Sequence, residues 1–206
     1  MNAIVSYDGK ATHLDWSHES VTAKMVDWFW SNMEKSFLLW HPSQHEPLEW
    51  AVKPQQGKIV GSIHIAPQTW NDGSRQNLYI RCEDLNTVPD WVKDYVIYDH
   101  CIIVSAIGFG EQALEKPEVF GYRIHQWEKS DSGIVGKSTA IGILKPEDEE
   151  MGKVWAAHCG EEIGNWKHFL PQMYELFKVV ENEAYNPYND LTVEGKGATL
   201  KYKYDI

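Results

Sequence analysis

The stretch "VWAAHCGEEIGNWKHFLPQMY", residues 154–174, carries the chain's most conspicuous chemical grouping. It reads as a helix, and His158, Glu161 and Glu162 fall within five residues of one another. Stepping by three or four residues gives Met151, Trp155, His158, Glu162, Trp166, Phe169, Met173 and then Leu176 or Phe177. Every member of that stripe except His158 and Glu162 is apolar, so the two polar groups sit where the helix should be buried. They are i and i+4, whose side chains meet on one face. A buried carboxylate costs several kcal/mol unless it is paired or bound to a metal. His–x–x–x–Glu is ligand spacing for a divalent ion on one helix. Taken alone, an ion pair, or a boundary position reaching water, is the plainer reading. Glu161 lies one step off the stripe and is expected to be solvated or to support its neighbour. Gly152, Gly160 and Gly164 each cost a helix roughly 1 kcal/mol relative to Ala, and they clear space beside it for a substrate or for a close strand.

A helix offers two ligands, and others must come from elsewhere. "WHPSQH" supplies His41 and His45, "GSIHIAPQTW" supplies His64 and Gln68, "YDHC" supplies His100 and "YRIHQWE" supplies His125. Spacing does not choose among these histidines. His13, His18 and His168 stand in polar surroundings and are expected at the surface.

The elements that must position these groups are legible in outline. "HESVTAKMVDWFWSNMEKSFLLW" has helical periodicity, with Ser20 or Thr22 as its cap and Pro42 beyond its end. "KIVGSIHIA", "NLYIRCEDL", "DYVIYDHCIIVSAIG", "VFGYRIHQWEK" and "GIVGKSTAIGIL" read as strands separated by Gly, Asn, Asp and Pro. Parallel pairing needs long crossovers and none is present, so the sheet should be mostly antiparallel. From "LKPEDEEMGKVW" the pattern returns to helix, with Pro146 at its first position and acidic residues at the positive end of its dipole. That helix continues to about Val180, and Pro171 should kink it. The remainder reads as a tail with a short strand at "ATLKYKY". The fold class expected is α+β, a curved antiparallel sheet wrapped around a long C-terminal helix, with a ligand cavity between them. The domain boundaries expected are an N-terminal segment 1–19, a single domain 20–182 and a C-terminal tail 183–206.

Composition narrows the function. The chain of 206 residues has a net charge of −11 and lacks a basic cluster, so neither nucleic acid nor an anionic membrane surface is an expected partner. Ten Trp, ten Tyr and six Phe exceed what packing needs. They fit a ligand cavity or an aromatic core equally well. Cys82, Cys101 and Cys159 match no disulfide or CxxC pattern, and the N-terminus lacks the pattern of a signal peptide. No apolar segment approaches a membrane span. A cytoplasmic location is the expectation. A serine nucleophile elbow, a P-loop and a Rossmann fingerprint are absent.

"WHPSQH", "GSIHIAPQTWNDG", "YRIHQWE" and above all "HCGEEIGNWKHFLPQMY" resemble the 2,4-diacetylphloroglucinol hydrolase and phloretin hydrolase family over roughly residues 22–180. The resemblance implies a Bet v 1-like helix-grip fold and zinc-dependent hydrolysis of the C–C bond between an acyl group and a phloroglucinol-type ring. It implies two His and two Glu as zinc ligands: His158 and Glu162 from the helix, His45 as a third. At the best match to the fourth, a Glu, this chain has Gln68, and no Glu lies between Trp50 and Arg81. Either Gln68 binds through its amide oxygen, or His64 substitutes, or the site is altered or lost. A looser match assigns protonation of the ring carbon to His100 and a phenolic contact to Tyr122, with His125 as substitute for either. The function expected is a metal-dependent hydrolase of acylated phenols or related β-diketones, acting on a small aromatic or polyketide substrate, with a homodimer as an open assembly. The alternative is a non-hydrolytic binding protein, lyase or cyclase with an altered metal site.

Overall fold

The computed structural model describes residues 2–55, 58–180, 182, 188 and 190–203. Eight strands form one antiparallel sheet in the order β1-β2-β8-β7-β6-β5-β4-β3. They are β1 (Asn2–Tyr7), β2 (Ala11–His18), β3 (Glu49–Val52), β4 (Ile63–Thr69), β5 (Arg75–Cys82), β6 (His100–Phe109), β7 (Gly121–Ser130) and β8 (Gly133–Gly142). The helices are α1 (Ala23–Ser31), α2 (Phe37–Trp40), α3 (Asp90–Lys93), α4 (Gln112–Glu115) and the 29-residue α5 (Glu149–Phe177). A second, two-stranded sheet pairs β9 (Val193–Glu194) with β10 (Lys201–Tyr202).

Helix α5 lies on the sheet and buries Ala156, Cys159, Ile163, Trp166 and Leu170. Trp166 meets Trp16 of β2 and Phe29 of α1 edge-on, each with centroids 5.7 Å apart. Such tilted pairs use the positive ring edge against a negative face. A Cβ at Gly152 would stand 1.8 Å from Thr12 Oγ1, so that glycine admits a close strand rather than a ligand.

Several boundaries differ from those read in the sequence. Residues 2–18 are not a separate N-terminal segment: β1 and β2 belong to the sheet, and β2 pairs with β8 across its full length. His13 and His18 are therefore buried rather than at the surface. Burial pushes His18 down to about 4. The first helix divides into α1, a 3₁₀ turn at Met33–Lys35, and α2. Thr22 caps α1 as expected. Asn32 ends it: its side-chain amide donates to the Trp28 carbonyl, the acceptor that the next helical N–H would have used. At the other end of the chain, Asp148 caps α5 by accepting from Met151 N, and Pro146 stays outside the helix. The helix passes through Pro171 without interruption.

The described part of the tail is docked. Leu191 O accepts from Cys101 N, Val193 N donates to Asp99 O, and Leu191, Val193, Leu200 and Tyr202 are buried. Residues 183–187, 189 and 204–206 of the expected tail lie outside the described residues. The three cysteines are free and buried, and no described helix is long and apolar enough to cross a membrane.

Candidate metal centre and cavity

Three buried side chains from two elements converge. His158 and Glu162 project from α5, and His45 comes from the turn after α2. That turn is fixed by two amides, Gln44 N and His45 N, which both donate to His41 O. His45 then forms an isolated antiparallel bridge with Gln68 of β4, which ties the turn to the sheet. Glu162 Oε1 stands 3.3 Å from His45 Nε2 and 3.3 Å from His158 Nε2. The ligating atoms of all three lie within 4.8 Å of one another.

The opposite nitrogen of each ring explains the orientation. His45 Nδ1 donates to the Phe37 carbonyl at 2.9 Å, and the ring stacks on Phe37 with centroids 3.9 Å apart. His158 Nδ1 donates to Gln44 Oε1 at 2.7 Å, and Gln44 Nε2 in turn donates to Asn71 Oδ1 at 2.9 Å. Both acceptors lack a proton to give, so each imidazole holds its hydrogen on Nδ1 and, when neutral, aims an Nε2 lone pair at Glu162. Two lone pairs facing a carboxylate oxygen repel unless a cation or extra protons lie between them.

The spacing bears on which it is. Charge-assisted N–H···O bonds run about 2.7–2.9 Å. Two ligands about 2.0–2.1 Å from a tetrahedral metal stand about 3.3–3.4 Å apart. Both contacts fall in the second range, and the Nδ1 partners are those that orient metal-bound histidines. The donor set of two imidazoles and one carboxylate fits zinc with one side open. Without a cation, burial would raise the carboxyl pKa of Glu162, but His158 and His45 outweigh it and hold it well below the carboxylate range. Burial likewise disfavours His158 as a cation, and Glu162 reverses this and raises it.

The open side faces a cavity of about 760 Å³ between α5 and the sheet. Its wall is aromatic, with Trp30, Phe37, Trp40, Trp70 and Trp155. A neighbouring cavity of about 620 Å³ shares Trp70, Arg123, Glu147 and Met151 with it. Gln68 and His64 also line the larger cavity from β4. His64 stands outside the three-residue cluster, and burial pushes it down to about 4, leaving it neutral. Glu161 is at the rim, its Oε2 3.3 Å from Nε2 of His41, whose ring stacks on His158.

The three other candidates separate. His125 of β7 lines the cavity. Its Nδ1 meets Ser138 Oγ at 3.0 Å, and burial pushes it down to about 4. Tyr122 does not line the cavity. Side chains alternate along β7, so with Gly121, Arg123 and His125 on the cavity side, Tyr122 is on the other face, where burial, and then the nearby Glu83, raise its pKa. His100 is also absent from the cavity wall. It opens β6 and pairs with Asp27 of α1 at 2.9 Å, stacked on Trp127. The catalytic roles expected of His100 and Tyr122 do not fit these positions. Sequence reading passed over Gln44, whose only signal was its place beside His45, and over Arg123 and Glu147, which carried none.

No family model matches this chain, and no curated protein matches it. Solved structures do. A protein from Mycobacterium smegmatis is 12% identical and aligns over 84% of this chain and 98% of its own, with a TM-score of 0.54. One from Rhodobacter sphaeroides is 13% identical over 84% of this chain and 99% of its own, also at 0.54. The allergen Ara h 8.0201 is 13% identical over 79% and 99%, at 0.51. At such identities the likeness concerns the fold, and with the large antiparallel sheet and the long C-terminal helix it makes this chain a Bet v 1-like helix grip.

Proposed function

We propose that the protein is a zinc-dependent hydrolase that cleaves the C–C bond between an acyl group and a phenolic ring, or the equivalent bond of a β-diketone. One observation carries the reading: His45, His158 and Glu162 have metal-ligand spacing, with both Nδ1 protons spent elsewhere, at the wall of an aromatic-lined cavity. Zinc held by His45, His158 and Glu162 would supply Lewis acidity toward a carbonyl and would lower the pKa of water toward ~7. The chain's own residues do the rest. Trp30, Trp70 and Trp155 offer apolar faces for a flat ring. His125, with Nδ1 engaged by Ser138, has its other nitrogen for proton transfer to the ring carbon. In balance, the aryl–acyl bond breaks, the ring carbon gains a proton and the acyl carbon gains hydroxide, giving an arene and a carboxylic acid.

The test is metal analysis of the purified protein together with acetate release from 2,4-diacetylphloroglucinol. About one zinc per chain and zinc-dependent acetate are expected, both lost in His158→Ala. Protein free of any divalent ion would end the proposal. A second reading rests on Gln68, a neutral side chain facing the cavity where the resembled family has a Glu. In that reading the cavity binds an aromatic or polyketide ligand without hydrolysis, and tight binding with no acetate release would favour it.

A further inference from the structure

Arg123 and Glu147 have no part in the chemistry above, yet both line the cavity and its neighbour. Arg123 is on β7 two residues before His125, about 6.7 Å along the strand at the usual rise. Its guanidinium is held on two sides. Nη1 donates to the Tyr122 carbonyl at 3.0 Å and the Ile141 carbonyl at 3.5 Å, and the Trp155 ring lies 5.4 Å from Cζ. Those contacts fix the plane of the group and leave the Nη2 edge to Glu147.

That edge does not close. Arg123 Nη2 and Glu147 Oε2 are 3.8 Å apart, beyond the 2.7–2.9 Å of a charge-assisted bond, although the Glu147 side chain is only 9% exposed. A nearly buried carboxylate beside a guanidinium normally closes to a hydrogen bond, because the separation forfeits attraction after desolvation has been incurred. A gap of this width takes one bridging oxygen that accepts from the guanidinium and donates to the carboxylate. A hydroxyl does both. An ether or carbonyl oxygen only accepts, and an ammonium only donates.

We infer that Arg123 and Glu147 form a hydroxyl-reading subsite, in which a phenolic O–H of the ligand ring donates to Glu147 and accepts from Arg123 Nη2. The pair acts on specificity, not on the bond that breaks. The ring bridges this subsite and the His125 end of the cavity, with its acyl group toward His45, His158 and Glu162. The inference rests on the acylphenol reading for its choice of ligand, but its test reads binding rather than turnover.

The probes are 2,4,6-trihydroxyacetophenone and its 4-O-methyl ether, titrated calorimetrically into zinc-loaded protein at a mildly acidic pH that keeps the phenols protonated. Hydrogen bonds to charged groups set the scale, and the wild type should prefer the hydroxyl probe by about ten- to a hundredfold. Arg123→Met and Glu147→Met should each abolish most of that preference. Either single change leaves a charge without its partner and risks folding. The double variant Arg123→Met/Glu147→Met replaces both by apolar groups of similar length, and should fold and bind the two probes alike. Equal affinities in the wild type, a preference that survives in the double variant, or binding of neither probe would overturn the inference. Acetate release from 2,4-diacetylphloroglucinol, whose hydrolysis yields the first probe, is scored separately. Discrimination between the probes without that acetate sustains the subsite and sinks the hydrolase, whereas acetate release with equal affinity for the two probes sinks the subsite alone.

Discussion

Two clusters of histidine and carboxylate, at opposite ends of the helix face of the sheet, are built from the same kinds of group and differ in spacing. At the cavity, Glu162 Oε1 is 3.3 Å from each of two Nε2 atoms. At the other end, His100 Nδ1 is 2.9 Å from Asp27 Oδ1, with Asp190 completing a group that also gathers within 4.8 Å. The difference follows from where each ring spends its Nδ1 proton. His45 and His158 give theirs to a carbonyl and an amide oxygen, which leaves both Nε2 atoms facing Glu162. His100 gives its Nδ1 proton to the carboxylate itself, and Asp190 is engaged by the amide and hydroxyl of Thr192. The first cluster has a ligand's geometry. The second is a hydrogen-bonded ion pair that joins α1 and β6 beside the docked C-terminal segment. Residue types alone do not distinguish the two; the partner of the remote nitrogen does.

The sharpest way to break this comparison is to remove one partner from each cluster and add a chelator. Asp27→Ala leaves His100 without its buried partner and should cost about 3–5 kcal/mol of unfolding free energy in urea, with or without chelator. At a zinc concentration ~1,000 times Kd, bound metal should stabilise the wild type by about 4 kcal/mol. Chelation should remove that increment from the wild type and leave Glu162→Gln unchanged in a thermal melt. A chelator effect that vanishes in Asp27→Ala and persists in Glu162→Gln would invert the assignment of the two clusters. Gln44→Ala frees the His158 ring and, on the proposed metal site, should weaken zinc by about 10- to 100-fold in competition with a chromophoric chelator.

The ion pair should also show in the pH dependence. Burial pushes Asp27 up to about 6, only partly offset by His100. Burial lowers His100, but Asp27 outweighs it and the net shift is upward. Both folded pKa values lie above their unfolded ones, so the folded state holds more protons and the contribution is present in full at low pH. It is lost as pH rises, first through about 6 and then through the raised pKa of His100. The difference in stability between wild type and Asp27→Asn should therefore shrink between pH 5 and pH 8, by on the order of 1–2 kcal/mol. A difference that stays constant would contradict the pairing. The smallest effect expected is from Gln68→Glu, a several-fold tightening of zinc if the amide faces the open side of the metal.

Legibility in the sequence followed periodicity. The long helix was readable because its apolar residues recur over eight turns, and the inner strands because they alternate between Gly and Asn breaks. His158 and Glu162 were readable because one helix fixes their separation. β1 was missed because it is exposed throughout and has no buried face to register, and β2 because it is buried on both faces with Thr12, His13 and His18 among its buried residues, which leaves no apolar–polar alternation. Tyr122 was misplaced because a strand residue's face depends on the sheet, and one residue of displacement exchanges cavity for exterior. His100 shares the face of Val104 and His125 but stands at the other end of β6, a position that depends on how far the cavity extends along the strand.

The sequence by itself determined an antiparallel sheet with a long covering helix, and a His–Glu pair on that helix, because local spacing sets all three. The tertiary structure brings His45, which the family resemblance had named, to the pair and leaves His64 outside it, and it alone decided that Arg123 and Glu147 stand across a gap and that His100 belongs to a different cluster. Those are distances between elements far apart in the chain, and packing fixes them where spacing cannot.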